Sequence, residues 1–270
     1  MLFDLKNSYF CIHIACLFSI LTMMKAMILA AGNGTRLKPI TDNLPKALVP
    51  VKGVPMLEHI VLKIKAAGFT RIIINIHHFG EQIIDFLASK NNFGLTVDFS
   101  DERDYLLDTG GGIKKAGCFL EGNEPFLVHN VDIFSNVDLM AMYRSHVNSN
   151  ALATLLVNPC KGSRQLLFNK EERLCGWQNP ETGEVKSSFP DFDPSLHLAH
   201  AFGGVHVISP EIFTLMKEWT DKFSIINFYL SICPFKPVRL YTEEGIRLID
   251  AGKPEGLEEV EHWISQLPQF

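Results

Sequence analysis

Apolar positions between residues 25 and 150 follow two rhythms that take turns along the chain. Short apolar or β-branched runs at 26–30, 71–76 and 126–131, with an alternating stretch at 95–99, read as strands. Between them, residues 56–67 place Leu57, Ile60, Val61 and Ile64 at helical spacing and close on Gly68, a predicted C-cap. Residues 81–87 and 137–147 read as further helices, and Gly110-Gly111-Gly112 leads into another that runs through Lys115. Strands that alternate with helices predict an α/β fold, a mostly parallel sheet covered by helices on both faces. In such sheets ligands sit beyond the carboxyl ends of the strands. The 126–131 strand delivers Asp132 to that edge.

Past residue 150 the rhythm changes. Residues 151–157, 166–168, 173–177 and 199–208 read as strands joined by turns, with Gly203-Gly204 inside the last. Helices are predicted at 211–218 and 225–232, strands at 238–241 and 246–249, and a final helix opening at Pro254, with Glu255 in the first turn to suit its positive end. The folding unit is therefore expected over 24–262, in halves of 24–150 and 151–262, the second smaller and mixed. Residues 263–270 are expected to form a tail. No internal repeat or low-complexity segment is present. Residues 8–24 are largely apolar, with His13 among them, and could be a signal-type segment or a marginal membrane span. The first strand begins directly afterwards with no linker, so residues 1–23 are expected to stand outside the fold, and membrane attachment is not favoured.

A chain of 270 residues with 47% hydrophobic and 20% charged residues suits a sizeable globular core. The net charge of −5 argues against a broad nucleic-acid surface. The cations of interest are local: Arg36, Lys38, Lys46 and Lys52 gather around one loop. The six cysteines (Cys11, Cys16, Cys118, Cys160, Cys175, Cys233) include no Cys-x-x-Cys, which points to reduced thiols in a cytoplasmic protein. His77-His78 lacks a third metal ligand nearby and reads as structural.

The loop after the first strand carries the chemistry. It reads Leu29-Ala30-Ala31-Gly32-Asn33-Gly34-Thr35-Arg36-Leu37-Lys38-Pro39-Ile40-Thr41, followed by Pro45-Lys46-Ala47-Leu48-Val49-Pro50-Val51. Glycines let backbone N–H groups approach anionic oxygens. Arg36 offers a planar fork for phosphate and Lys46 a point charge. Neither a P-loop nor a dinucleotide fingerprint fits, since Leu37 stands where the latter needs its third glycine. The whole string resembles the signature of the nucleotidyltransferases that make nucleotide sugars. That resemblance implies a Rossmann-like nucleotide-diphospho-sugar transferase fold, with nucleotide-binding residues at 24–150 and sugar-binding residues at 151–262.

It also implies that Asp132, in Asn130-Val131-Asp132, and Asp250, in Asp250-Ala251-Gly252-Lys253-Pro254, hold one Mg²⁺. This agrees with the preference of that ion for a few hard carboxylates completed by phosphate and water. Read alone, Asp132 could cap the 137–147 helix and Asp250 a turn. The implied reaction is attack by a sugar 1-phosphate oxygen on the α-phosphorus of a nucleoside triphosphate, with pyrophosphate leaving. Arg36, Lys46 and Asp132 are the expected catalytic residues. Ala30, Ala31, Gly32, Gly34, Thr35, Asp108, Thr109 and Gly110 join Arg36 and Lys46 around the nucleotide. Leu107-Asp108-Thr109-Gly110-Gly111-Gly112 looks like the segment of N-acetylmuramate 1-phosphate uridylyltransferases, which makes Asn158 and Gly204 the sugar-contact candidates. UTP with an amino-sugar phosphate is the first expectation. GTP with mannose 1-phosphate, a choline-phosphate cytidylyltransferase using Trp177 or Trp219, and a silent regulatory subunit stay open. Expected partners are the two small substrates, in a monomer or small homo-oligomer.

Overall fold

A computed structural model describes residues 23–159 and 162–266. The expectations for residues 1–22 and for Cys160 lie outside the described residues. The strands are β1 (Lys25–Leu29), β2 (Pro50–Val51), β3 (Val54–Pro55), β4 (Arg71–Ile76), β5 (Thr96–Asp101), β6 (Phe126–Asn130) and β7 (Ile133–Ser135), then β8 (Ala153–Asn158), β9 (Gln165–Phe168), β10 (Leu174–Asn179), β11 (Glu184–Lys186), β12 (Leu198–Ile208), β13 (Val238–Tyr241) and β14 (Leu248–Asp250). Ten of them form one sheet with the path β11-β10-β9-β12-β6-β1-β4-β5, and β8 joins β12 to β13 beside it.

The two halves belong to this one sheet and differ in the sense of pairing. β6, β1, β4 and β5 are parallel neighbours. β6, β1 and β4 are buried on both sides, as their apolar runs require, and β5 forms the partly exposed edge. β12 then runs antiparallel to β6 and carries the sheet onward through β9, β10 and β11, all antiparallel. Because β12 is antiparallel to β6, its amino-terminal part, Leu198 to Gly204, projects past the carboxyl end of β6. The second half of the chain is thereby extended over the edge where the first half presents its loops.

The helices follow the apolar spacing. Met56–Ala66 buries Leu57, Ile60, Val61 and Ile64 and ends at Gly68, which takes φ +93 and donates its N–H to Lys65 O. Two differences from the sequence expectation have local causes. Gly110, Gly111 and Gly112 lie inside the helix Asp108–Lys115 and do not precede it; Asp221 and Phe223 pack directly on Gly110 and Gly111, and Glu102 and Asn75 on Gly112. The last helix, Pro254–Gln266, runs past the boundary expected at 262, since Trp263 and Ile264 pack with Val260 and Leu257 against the core. Asp138 caps the helix Leu139–Val147 by accepting from the N–H groups of Met140 and Ala141, which leaves Asp132 free of any capping duty there.

Buried side chains form three clusters, one on either face of the sheet and a smaller third. The third gathers Leu37, Val49, Val51, Phe134, Ile249 and Ala251. Leu37 adjoins Arg36, Ile249 and Ala251 flank Asp250, Phe134 lies two residues past Asp132, and Val49 and Val51 follow Lys46, so one apolar knot fixes distant segments around the same place.

Candidate active site

Each charged group predicted for the site hangs from an anchored backbone. Arg36 lies on a 3-10 turn, Thr35–Leu37, whose Leu37 is buried in the third cluster. Gly34 begins that turn at φ +64, and a Cβ there would lie 2.8 Å from Thr41 Cγ2. The Thr41 hydroxyl donates to Gly34 O at 2.8 Å, so Thr41 is a brace for the loop. Lys46 stands on a further 3-10 turn, Lys46–Leu48, held by the buried Ala47.

Asp132 lies two residues past the end of β6, and Asp250 ends β14. Those two segments are stitched together: β14 pairs antiparallel with β7, with Asp250 opposite Ile133, and Ala251 N–H donates to Asp132 O at 2.9 Å. Asp132 and Asp250 are thus brought side by side although 118 positions separate them in the chain.

Their meeting point is Gly252. A Cβ built there would lie 2.5 Å from Asp132 Oδ2, 2.6 Å from Lys46 Nζ and 2.8 Å from Asp250 Oδ1. Two carboxylates and one ammonium therefore surround a single point, and only a residue without a side chain leaves it open. Lys46 Nζ is paired with Asp132 Oδ2, and both side chains are only 12% exposed. Arg36 Nη1 reaches Asp250 Oδ2 at 3.5 Å, with side chains 50% and 42% exposed. An open pair of this kind contributes little to stability and exchanges readily for a bound anion. The Gly252 N–H donates to Asp250 Oδ1 at 2.8 Å, which orients that carboxylate.

A cavity of about 240 Å³ opens beside this cluster at the carboxyl ends of β1, β4 and β6. Ala31, Gly32, Lys46, Asp108, Thr109 and Asp132 all line it. Thr35 and Arg36 stand exposed on the same loop. Ala30 and Ala31 are buried, and their N–H groups point inward to Asn75 Oδ1 at 2.6 and 3.3 Å. Gly32 has open space where a side chain would be. Gly110 faces away from the cavity: its N–H donates to Phe223 O at 2.9 Å, and a Cβ would strike the Phe223 ring at 2.4 Å. Its glycine identity answers to that packing. Thr109 turns its hydroxyl to accept from Ile225 N–H at 3.0 Å. Asp108, at φ +62, accepts from Thr109 N–H at 2.6 Å. Gly204, at φ +67, lies against Asn130, which also lines the cavity. Asn158 ends β8 opposite Ala201.

Two residues absent from the sequence reading complete the site. Glu102 is 1% exposed; it accepts from Asn75 Nδ2 at 2.7 Å and from Leu107 N–H at 3.1 Å. Asn75 in turn accepts from Ala30 and Ala31. This relay ties the first loop to the 107–109 segment across three strand ends. The available signal was Asn75 itself, a polar residue inside the apolar run Ile72-Ile73-Ile74-Asn75-Ile76. A buried amide must be paired, so such an interruption at a strand's carboxyl end marks a structural junction.

The histidines serve packing. His77 Nδ1 contacts Glu102 O at 2.7 Å, and His78 lies on the Phe79 ring. Trp219 packs with Phe223 and Phe228, whereas Trp177 lines a cavity.

The likeness to known proteins agrees with this arrangement. The chain matches the nucleotidyl transferase family over residues 25–165. It is 43% identical over 122 residues to N-acetylmuramate alpha-1-phosphate uridylyltransferase of Neisseria meningitidis, covering 45% of this chain and 52% of that protein. It is 41% identical over 211 residues to the protein of the same name from Caulobacter vibrioides, covering 72% and 82%. A mannose-1-phosphate guanyltransferase of Gibberella zeae is 37% identical, over 50% of this chain and 38% of its own length. The chain thus spans about half of the Neisseria relative and most of the Caulobacter one. Among solved structures, HddC from Yersinia pseudotuberculosis, complexed with GMP-PN, superposes with a TM-score of 0.70 at 24% identity, over 90% of this chain and all of that one. It shares the fold. On the family match and the Caulobacter likeness together, this chain belongs to the nucleotidyl transferase family.

Proposed function

We propose that the protein transfers a uridylyl group from UTP to an amino-sugar 1-phosphate such as N-acetylmuramate 1-phosphate, releasing pyrophosphate, with Mg²⁺ as cofactor. The observation that carries this reading is the convergence of Lys46, Asp132 and Asp250 on the open point above Gly252, beside a cavity at the strand ends. The likeness to the Caulobacter uridylyltransferase supports the choice of substrates. Its 211 aligned residues exceed the length of the first half, so the similarity reaches into the part expected to hold the sugar. The likeness to the Gibberella guanyltransferase covers half of this chain and keeps GTP with mannose 1-phosphate as the second reading.

The donor set fits the cofactor. Asp132 and Asp250 present two hard oxygens to one point, and among the described residues no third acidic, His or Cys side chain joins them. A magnesium ion uses few protein carboxylates and takes its remaining ligands from phosphate and water. Bound there, it would neutralise phosphate charge. The remaining work falls to the chain. Arg36, exposed and weakly held, exchanges Asp250 for the β- and γ-phosphates. Lys46, paired with Asp132 beside the same point, bridges the α-phosphate and the incoming sugar phosphate. One oxygen of the sugar phosphate forms a bond to the α-phosphorus as the bond to pyrophosphate breaks. A phosphate monoester is already largely dianionic near neutral pH, so no general base is needed. Rate acceleration comes from positioning and charge neutralisation.

The test is a matrix of the four nucleoside triphosphates against several sugar 1-phosphates, scored by pyrophosphate release. Turnover highest for UTP with N-acetylmuramate 1-phosphate is the expected result; highest turnover for GTP with mannose 1-phosphate selects the second reading. No release with any pair overturns both.

A further inference from the structure

A feature not yet used is a cavity of about 490 Å³ on the antiparallel half of the sheet. Its floor is one face of β9, β10 and β11, and the strand register arranges that face in two rows. Leu166, Trp177 and Lys186 lie across from one another, since Trp177 pairs with both Leu166 and Lys186. One step along, Asn179 pairs with Glu184, and Arg164, just ahead of β9, extends the same row. The opposite wall comes from the helix Ile225–Ile232 through Ile226, Asn227 and Leu230.

This cavity shares a wall with the nucleotide cavity. Phe202 lines it and precedes Gly203-Gly204, and Gly204 abuts Asn130 of the other cavity. Ser224 lines it and precedes Ile225, whose N–H donates to Thr109, which lines the other cavity. The charges inside are unequal. Lys186 Nζ pairs with Glu184 at 3.0 Å and lies 4.8 Å above the Trp177 ring, so those two charges offset each other. Arg164 is exposed and has no ion-pair or hydrogen-bond partner among the described residues. The cavity therefore holds one uncompensated guanidinium at the polar end of an aromatic floor.

We propose that the acceptor sugar occupies this cavity with its ring on Trp177 and a carboxylate substituent on Arg164, so that Arg164 selects an acidic sugar 1-phosphate over a neutral one. The inference rests on the nucleotidyl-transfer reading above. A sugar ring presents apolar C–H faces that suit an aromatic floor, and a guanidinium matches a carboxylate through two parallel N–H···O bonds. Asn179 and Asn227 stand close enough to the same space to pair ring hydroxyls or an amide. The phosphate on carbon 1 then points across the shared wall toward Lys46.

The experiment compares kcat/KM, by pyrophosphate release with UTP, for two acidic acceptors (N-acetylmuramate 1-phosphate and glucuronate 1-phosphate) and two neutral ones (N-acetylglucosamine 1-phosphate and glucose 1-phosphate). It uses the full-length protein and the variants Arg164→Gln and Arg164→Lys, each checked by circular dichroism and thermal melting. The native protein is expected to favour an acidic acceptor. Arg164→Gln should lower the acidic-to-neutral ratio about 10- to 100-fold, mostly through KM, the range expected for a lost charged hydrogen bond. Arg164→Lys should recover part of the ratio. A native preference for neutral acceptors, or an acidic preference that Arg164→Gln leaves unchanged, overturns the role of Arg164 while nucleotidyl transfer stands. Preference for glucuronate over N-acetylmuramate keeps Arg164 and removes the muramate reading. Absence of turnover with every acceptor removes both.

Discussion

The two halves of this molecule solve binding problems of different kinds, and they do so with different backbones. The first half presents its proposed phosphate site on loops at the ends of parallel strands. The groups proposed to work there are Arg36, Lys46, Asp132 and a few glycines, joined by Asp250 from the second half. The second half presents an open cavity on the face of antiparallel strands, with groups drawn from alternate positions of three of them. A triphosphate offers the same charges whatever base or sugar is attached, so a fixed set of cations and carboxylates at fixed spacing suffices. A sugar is distinguished by its substituents, and an antiparallel face can vary one side chain at a time while the ladder stays intact. On the proposed reading, the comparison assigns reaction type to the loop cluster and acceptor choice to the sheet face.

If this division is right, the largest effects come from the loop cluster. Asp132→Asn should lower pyrophosphate release by about 10³-fold or more while the fold persists, because the main-chain bond from Ala251 to Asp132 O remains. Near-native release would break the assignment. Lys46→Ala should cost about 10²–10³-fold in kcat, with weaker binding of the sugar phosphate as well; unaltered kinetics would remove its bridging role. Gly252→Ala tests the geometry without deleting any charge. Its Cβ would crowd Asp132 Oδ2, Lys46 Nζ and Asp250 Oδ1, and a displacement of about 1 Å should lower kcat by about 10²-fold. A melting temperature close to native would separate this effect from unfolding.

The smallest prediction concerns the sheet where the halves join. His129 and His206 lie on the paired strands β6 and β12, and burial pushes each down to about 3; His146, nearby, is pushed down to about 4 by burial. These rings stay neutral in the folded state, while in the unfolded chain they take up protons as the pH falls below 6.5, the ordinary value. Their contribution is therefore intact above pH 6.5 and is lost as the pH falls toward 4 for His146 and toward 3 for the other two. Each should cost about 2 kcal/mol by pH 5, on the linkage relation. Urea unfolding at pH 7 and pH 5 measures this. His146→Gln should flatten part of the slope, although it also perturbs the contacts of His146 with Thr154 and Ser209.

The outline of the fold was legible in the sequence wherever periodicity was strong. Arg71–Ile76, Ile225–Ile232 and Val238–Tyr241 fall at their expected bounds, because a β-branched run or a stripe of apolar residues leaves few alternatives. Short elements that depend on partners were harder. The helix expected at 211–218 is only Ile212–Leu215, and β14 begins at Leu248, where pairing with β7 starts. Residues 178–198 carried no readable signal. They supply Asn179, Glu184 and Lys186 to the second cavity only through cross-strand register.

By itself the sequence determined the chemistry available: a glycine-rich cationic loop, two aspartates each following a strand, and an alternation of strands and helices that places such groups at one edge. Local spacing suffices for this, since each motif is contiguous and its backbone demands are met within a few residues. Only the tertiary structure decided that Asp132 and Asp250 meet at Gly252, that Asn75 and Glu102 tie the loop after β1 to the 107–109 segment, and that Arg164 is the uncompensated charge beside Trp177. Those facts depend on β7 pairing with β14 and on β12 running past the end of β6. Pairings between segments far apart in the chain arise from the packing of the whole core, which no local window contains.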